Sequence, residues 1–344
     1  LMKTYVRISK LQLRVGRLVK TAELSSSVSN GSGCVVRRNV FDKDSNLVSN
    51  SSGVSDASSM SECVDEVAFP ESVSMSVSSS FSSGSQLLSR TVNNVVVSSP
   101  QVFDVWGRTT ALDASLTTEH VAVSSMSYRA DGQLVSLSSG GVKDSWMFDA
   151  NQARVCHREQ PTSTLDTAPC GTPTQTSVTD TTDHGVVEGA VDYSITNTTT
   201  SHTLTWHHHS ITHGTTAQLT TTNHTWWLTD LYGNLVTQHT IGGVQGAEPV
   251  IDENGTTTNT NTYTWAATHT KTRHHTGLIT LTHRTYNPQT HQFLQPDPIL
   301  GGTPNPYTYP TDPINQHDYT GLVDLGQLGK MSLACLLTGS RCPR

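Results

Sequence analysis

Apolar residues along this chain come in short alternating runs rather than helical stripes. Lys10-Leu11-Gln12-Leu13-Arg14-Val15 alternates polar and apolar, the period of a half-buried strand. Its basic residues also recur at a spacing of three to four, which fits an amphipathic helix. Gly16 and the β-branched neighbours favour the strand. Leu278-Ile279-Thr280-Leu281-Thr282 predicts a further strand, and a helical period is found only over Leu325–Leu337. Two segments break the pattern. Ser51 to Ser89 is dominated by Ser, and Thr162 to Asp183 is rich in Thr, Pro and Asp, so both read as loops or disordered insertions. The predicted fold class is all-β, built from short strands and Gly- and Asp-rich turns.

Composition supports this reading and removes several functions. The chain has 344 residues, 25 Gly, 14 Pro and a net charge of −7. There is no run of 18 apolar residues, so no membrane-spanning helix is expected. The acidic balance argues against nucleic acid as a partner. The basic N-terminus has no apolar run to make it a secretory signal, and the start at Leu1-Met2 is expected for a fragment. Ser and His are unevenly spread: 34 of 41 Ser precede residue 151, whereas 15 of 16 His follow residue 150. A domain boundary accounts for this. So does a gene carrying biased transitions in each half, which would make the chain an inactive decayed copy.

Candidate chemistry is sparse. The six cysteines Cys34, Cys63, Cys156, Cys170, Cys335 and Cys342 form no CxxC pair, so no zinc site is expected. Cys156 with Cys170, or Cys335 with Cys342, could close loops in an oxidising compartment. His207, His208, His209 and His213 lack a companion Asp, Glu or Cys at ligand spacing, and no metal or cofactor is expected there. Trp206, Trp226, Trp227 and Trp265 suit core packing better than a sugar platform.

The strongest signal is a repeat: an aromatic, an Asp, two variable residues, Gly, then a polar and an apolar residue. Phe103-Asp104-Val105-Trp106-Gly107-Arg108 is its fullest copy. Weaker copies begin at Phe41, Tyr128 and Phe148, and Asp230-Leu231-Tyr232-Gly233 and Asp252-Glu253-Asn254-Gly255 lack the leading aromatic. The unit is that of a hairpin: the aromatic ends a strand and packs inward, Asp caps the turn, and Gly supplies a positive φ. Each unit buries only part of its surface, so neighbours must stack.

This repeat resembles the YD repeat of Rhs proteins. The C-terminal stretch resembles the Rhs repeat-associated core over Thr276 to Leu322. It carries Thr276-Gly277-Leu278, Arg284-Thr285-Tyr286-Asn287-Pro288, Phe293-Leu294-Gln295-Pro296-Asp297-Pro298, Asn305-Pro306-Tyr307-Thr308-Tyr309, Asp312-Pro313 and Asp318-Tyr319-Thr320-Gly321-Leu322, in the family's order. The resemblance implies YD-repeat hairpins spiralling into part of a hollow shell, closed by a C-terminal core plug. It divides the chain into a shell segment (1–270), a core (271–322) and a short variable tip (323–344). It implies a segment that encapsulates the cargo of a bacterial polymorphic toxin, secreted or at the cell surface. The partners it implies are the chain's own upstream repeats and either a toxin cargo or a cell-surface glycan. Adhesion or glycan binding is the alternative. At most one enzymatic act is implied, an aspartyl self-cleavage of the Leu322–Val323 bond by Asp297 and Asp318, with Asp312 a third candidate acid. Departures fall close to this site: Pro296, His291-Gln292 and Tyr319 stand where the family usually has Arg, Gly-Arg and Pro.

Overall fold

In a computed structural model, the described residues are 9–14, 17–28, 31–56, 73–98, 100–185, 191–210, 214–230, 233–241, 251–257, 263–269, 271–299, 305–314 and 316–322. Leu325–Leu337, His213 and Val323 therefore lie outside them. The fold is all-β, and the chain divides into two compact units, residues 1–100 with 303–315, and residues 101–302 with 316–344. The first unit boundary falls at residue 100. The 271–302 stretch is bonded into the same unit as the strands before it.

The first unit holds one seven-stranded sheet: β1 (Ser9–Arg14), β2 (Arg17–Val28), β3 (Gly31–Phe41), β4 (Leu47–Asp56), β5 (Val73–Phe81), β6 (Leu87–Val92) and β7 (Val95–Ser98). Spatial order equals chain order and every pairing is antiparallel. The strand expected at Lys10–Val15 is β1. The expectation of a loop over Ser51 to Ser89 is corrected: β4 runs to Asp56, and β5 and the start of β6 lie within it. Around β5 the Ser residues alternate with Val and Met, and Val77 is buried while Ser76 and Ser78 are exposed, so the period of a strand survives under the Ser composition.

The second unit contains a twelve-stranded antiparallel sheet. Its strands are β8 (Gln101–Phe103), β9 (Thr109–Leu112), β10 (Val123–Tyr128), β11 (Leu134–Ser139), β12 (Val142–Phe148), β13 (Arg154–Pro161), β14 (Thr179–His184), β15 (Tyr193–Asn197), β16 (His202–Ser210), β17 (Gly214–Leu219), β18 (His224–Thr229) and β19 (Leu235–Thr240), again in chain order. A four-stranded sheet follows: β20 (Thr272–Arg273), β21 (Ile279–Thr280), β22 (Thr285–Asn287) and β23 (Gln292–Phe293). The run Leu278–Thr282 thus supplies only a two-residue strand.

The repeat is a turn with fixed hydrogen bonding. In Phe103-Asp104-Val105-Trp106-Gly107-Arg108, the Asp104 amide donates to the Arg108 carbonyl at 2.9 Å and the Gly107 amide to the Asp104 carbonyl at 3.0 Å. The Asp104 carboxylate accepts the amides of Trp106 and Arg108, each at 2.9 Å. Gly107 has φ 80°, a region L-residues avoid. The same backbone pattern recurs from Asp42, Arg129, Asp149, Asp230 and Asp252, matching the six copies read from the sequence, and also from Ser82 and His274. Three copies hold a side chain where Gly is expected: Ser45, Ser85 and Gln152, with φ 65°, 62° and 66°.

Two layers cover the sheet around β12–β14. Alternation places Asp144, Trp146, His157 and Glu159 on one face and Cys156, Arg158 and Asp180 on the other. The second face is covered by residues 162–178, which have no regular structure but are ordered by polar contacts. Arg158 grips the Asp180 carboxylate through two bonds of 2.7 and 2.8 Å and donates to the Asp166 carbonyl at 2.9 Å. Asp166 in turn accepts the amides of Ala168, Thr174 and Gln175, and a Cys156–Cys170 disulfide ties the loop to β13. The 162–183 stretch is thus a folded loop that runs into β14, not a disordered insertion. Toward the other end of the sheet, Trp227, Leu235 and Ala267 form a cluster with Tyr263 packed against it. A core lies at the four-stranded sheet: Leu278, Ile279, Leu281, Tyr286, Phe293 and Leu294 are all at most 1% exposed. Each such side chain contributes on the order of 2 kcal/mol of transfer free energy.

Candidate functional site

The C-terminal segment 316–322 lies against the turn between β21 and β22. The His283 amide donates to the Thr320 carbonyl at 2.8 Å, which sets the segment beside Arg284. Arg284 opens the Arg-Thr-Tyr-Asn-Pro box, and its guanidinium lies 3.7 Å from the centroid of the Phe293 ring, a cation–π contact that fixes its plane. The adjacent backbone is anchored by Gln295, whose side-chain oxygen accepts the Thr285 amide at 2.9 Å.

Two of the three expected acids converge on this guanidinium. Asp297 Oδ2 and Asp318 Oδ2 contact the same nitrogen, Arg284 Nη2, at 3.3 and 3.2 Å. The remaining oxygens hold backbone. Asp297 Oδ1 accepts the Ile299 amide at 2.8 Å. Asp318 Oδ1 accepts the Gly321 amide at 2.7 Å, the Leu322 amide at 3.2 Å and the Thr320 hydroxyl at 3.1 Å. Arg284 Nε also donates to the Gly321 carbonyl. All three charged side chains are at most 10% exposed. Burial lowers the Arg284 pKa, and the charges of Asp297 and Asp318 oppose that shift.

Close approach demands Gly at position 321. Its φ is 76°, and a Cβ there would stand 2.9 Å from the Arg284 amide nitrogen. Leu322 is thus held by its amide on Asp318, one residue beyond the carbonyl that Arg284 grips. Asp312, the third acid, is 3% exposed and lies in the other unit. Val323 lies outside the described residues. Arg284 itself was visible in the sequence as part of a box, but no charge pattern in the sequence marked it as the hub of the acids.

Elsewhere, the Trp residues divide. Trp227 and Trp265 are 6% and 4% exposed and belong to the core, as expected, whereas Trp206 and Trp226 are 51% and 48% exposed. Trp206 ends a ring ladder across three strands: His184 stacks on Tyr193 at 4.6 Å, and Tyr193 meets Trp206 at 4.7 Å. The His cluster of β16 also splits. His207 is buried, facing Tyr263, while His209 contacts the Val191 carbonyl at 2.9 Å. Among the described residues, one group of His and acid side chains has metal-ligand spacing, and it lies elsewhere, at Asp144, His157 and His274.

No family model and no curated protein matches the sequence. Solved structures do match the fold. The crystal structure of TcdB2–TccC3 without its hypervariable C-terminal region aligns with a TM-score of 0.59 at 12% identity, over 89% of this chain and 15% of that one. A Photorhabdus luminescens Tc holotoxin pore carrying a TccC3 mutation aligns with a TM-score of 0.58 at 12% identity, over 92% of this chain and 17% of that one. A further TcdB2–TccC3 crystal structure gives a TM-score of 0.56 at 12% identity. The chain thus spans about one sixth of the length of the structures it matches. At this identity the likeness concerns the fold alone: the chain has an Rhs-like, all-β fold of the kind found in TccC3-containing Tc toxin structures.

Proposed function

We propose that this chain is the C-terminal wall segment of an Rhs-type encapsulating toxin component, and that Asp297 and Asp318 cut the chain once, after Leu322. The observation that carries the reading is the convergence of both carboxylates on Arg284, with the Leu322 amide bound to one of them. The Rhs-like fold supports the container role. A hollow wall would keep a cargo joined after residue 322 out of solvent until the bond is cut.

The chemistry follows from the charges. Both acids contact one guanidinium nitrogen, Arg284 Nη2, whose positive charge lies between them and any developing negative charge. In this reading Asp297 is the base. It takes a proton from water as the hydroxide adds to the Leu322 carbonyl carbon. Arg284 offers its positive charge to the oxyanion, and Asp318 positions the segment through the Leu322 amide. The C–N bond then breaks, the Val323 nitrogen takes the proton from Asp297, and Leu322 keeps the new carboxyl group, which ionises to solvent.

The intact mass of the purified chain, beside an Asp297→Asn variant, tests this. A mass short by the Val323–Arg344 peptide, restored to full length in Asp297→Asn, is the expected result. Full length in both removes the self-cleavage. The second reading, a surface adhesion or glycan-binding module, would then gain weight from the partly exposed ladder His184–Tyr193–Trp206, with Trp206 at its exposed end.

A further inference from the structure

The face of the sheet opposite the 162–178 loop is closed by the 271–282 stretch, and a cavity of about 390 Å³ lies between them. Its wall carries Asp144 from β12, His157 from β13 and His274 from the turn before β21. One ligand atom from each of these three residues lies within 4.8 Å of the others.

Their surroundings are those of ligands held in place. His157 Nε2 is 2.8 Å from Asp144 Oδ1. Trp146 stacks on the His157 ring at 5.3 Å and meets the His274 ring edge-on at 5.1 Å. Thr280 Oγ1 bonds His274 Nε2 and fixes that ring. Asp144 is 1% exposed, and its second oxygen, Oδ2, is buried with no hydrogen bond. His275 Nδ1 lies 3.4 Å from that oxygen. A carboxylate buried this deeply with one oxygen unsatisfied is costly unless a positive charge completes it.

We propose that Asp144, His157 and His274 bind a divalent transition-metal ion, zinc foremost, with its remaining coordination positions open to the cavity. Two imidazoles and one carboxylate are the donor set such ions prefer, and a cavity on the open side leaves room for water or an exogenous ligand. Binding at His157 Nε2 replaces its hydrogen bond to Asp144 with a bond to the metal, and the neutral imidazole then carries its proton on Nδ1. Donors on bonds of about 2.1 Å sit roughly 3.4 Å apart around a tetrahedral ion, so the 2.8 Å His157–Asp144 pair parts by about 0.6 Å on loading, while any pair near the 4.8 Å limit draws in. Trp146 and Thr280 then act as the outer layer that holds the two rings. Arg154, with its guanidinium 6.0 Å from the centroid of the Trp146 ring, opposes a second cation. Binding is therefore expected to be weaker than at a closed structural site with no cation nearby. The inference is independent of any cleavage at Leu322.

Zinc titration of the purified full chain by calorimetry tests it, with Asp144→Asn, His157→Gln and the control His208→Gln. The control removes an exposed His of the β16 cluster. One site per chain is expected, weakened at least tenfold in both ligand variants and unchanged in the control. A parent chain with no saturable site, a site that persists in Asp144→Asn, or a site lost in His208→Gln overturns the proposal. Cobalt(II) on the unaltered chain gives a readout that needs no variant. Visible d–d bands of a nitrogen/oxygen site are expected, and a spectrum equal to that of aqueous cobalt overturns the proposal.

Discussion

The turn of the repeat makes a prediction whose sign reverses from one copy to the next. Gln152 and Gly132 occupy the same position of that turn, with φ 66° and 90°. An L-residue held in the left-handed region costs about 1–2 kcal/mol, and Gly gives back roughly 0.5–1 kcal/mol in backbone entropy. Gln152→Gly is therefore expected to stabilise by about 0.5–1 kcal/mol. Gly132→Ala should destabilise by about the same amount, because nothing lies within 4 Å of its new methyl group and only the backbone pays. At Gly255 a Cβ would stand 2.9 Å from Trp265 Cγ in the core, so Gly255→Ala adds a steric displacement and should cost at least about 2 kcal/mol. Urea unfolding at constant slope reads all three as shifts of the midpoint. The reasoning fails if Gln152→Gly lowers the midpoint, or if Gly132→Ala costs as much as Gly255→Ala.

Two further outcomes follow. Asp180→Ala strips a bidentate partner from Arg158, which is only 4% exposed, and should cost about 3–5 kcal/mol in thermal or urea unfolding; a cost near 1 kcal/mol would show that the loop rearranges to satisfy the guanidinium. Burial pushes His207 down to about 4 and His269 down to about 4. The unfolded chain therefore takes up protons near pH 6.5 that the folded chain refuses until about pH 4, and stability falls as pH drops through that window. For His207 this amounts to roughly 3 kcal/mol. His207→Gln should lose less stability than the parent between pH 6.5 and 4, and equal losses would refute the assignment.

Much of the fold was legible because the signals were local. The alternation in Lys10–Val15 needs no partner to be read, and it is β1. The repeat turn was legible wherever two of its three markers, the aromatic, Asp and Gly, survive. Its copies at Ser82 and His274 were hidden because each keeps one, Phe81 in the first and Gly277 in the second, while the backbone bonds persist. Ser51 to Ser89 misled because composition outweighed period: β5 needs only ladder partners and a few apolar anchors such as Val77. The loop 162–178 misled in another way, since its order comes from Arg158, Asp166 and Cys170, contacts that composition does not display. At the site, both Asp297 and Asp318 could be placed by motif, but their common contact with Arg284 depends on the His283–Thr320 bond between distant segments. The cluster of Asp144, His157 and His274 was invisible for the same reason. It joins two adjacent strands to a turn more than a hundred residues further along the chain.

The order of strands in the two large sheets has a consequence for how such a chain can be made and lengthened. Each strand pairs only with the strands just before and after it in sequence, so every ladder closes a short loop. Assembly can therefore proceed in the order of synthesis, each new hairpin finding its template already in place, with no strand waiting for a partner encoded far downstream. The same arrangement makes length a free variable. A hairpin gained or lost shifts its neighbours along the sheet but leaves every remaining pairing intact, as in other one-dimensional repeat architectures.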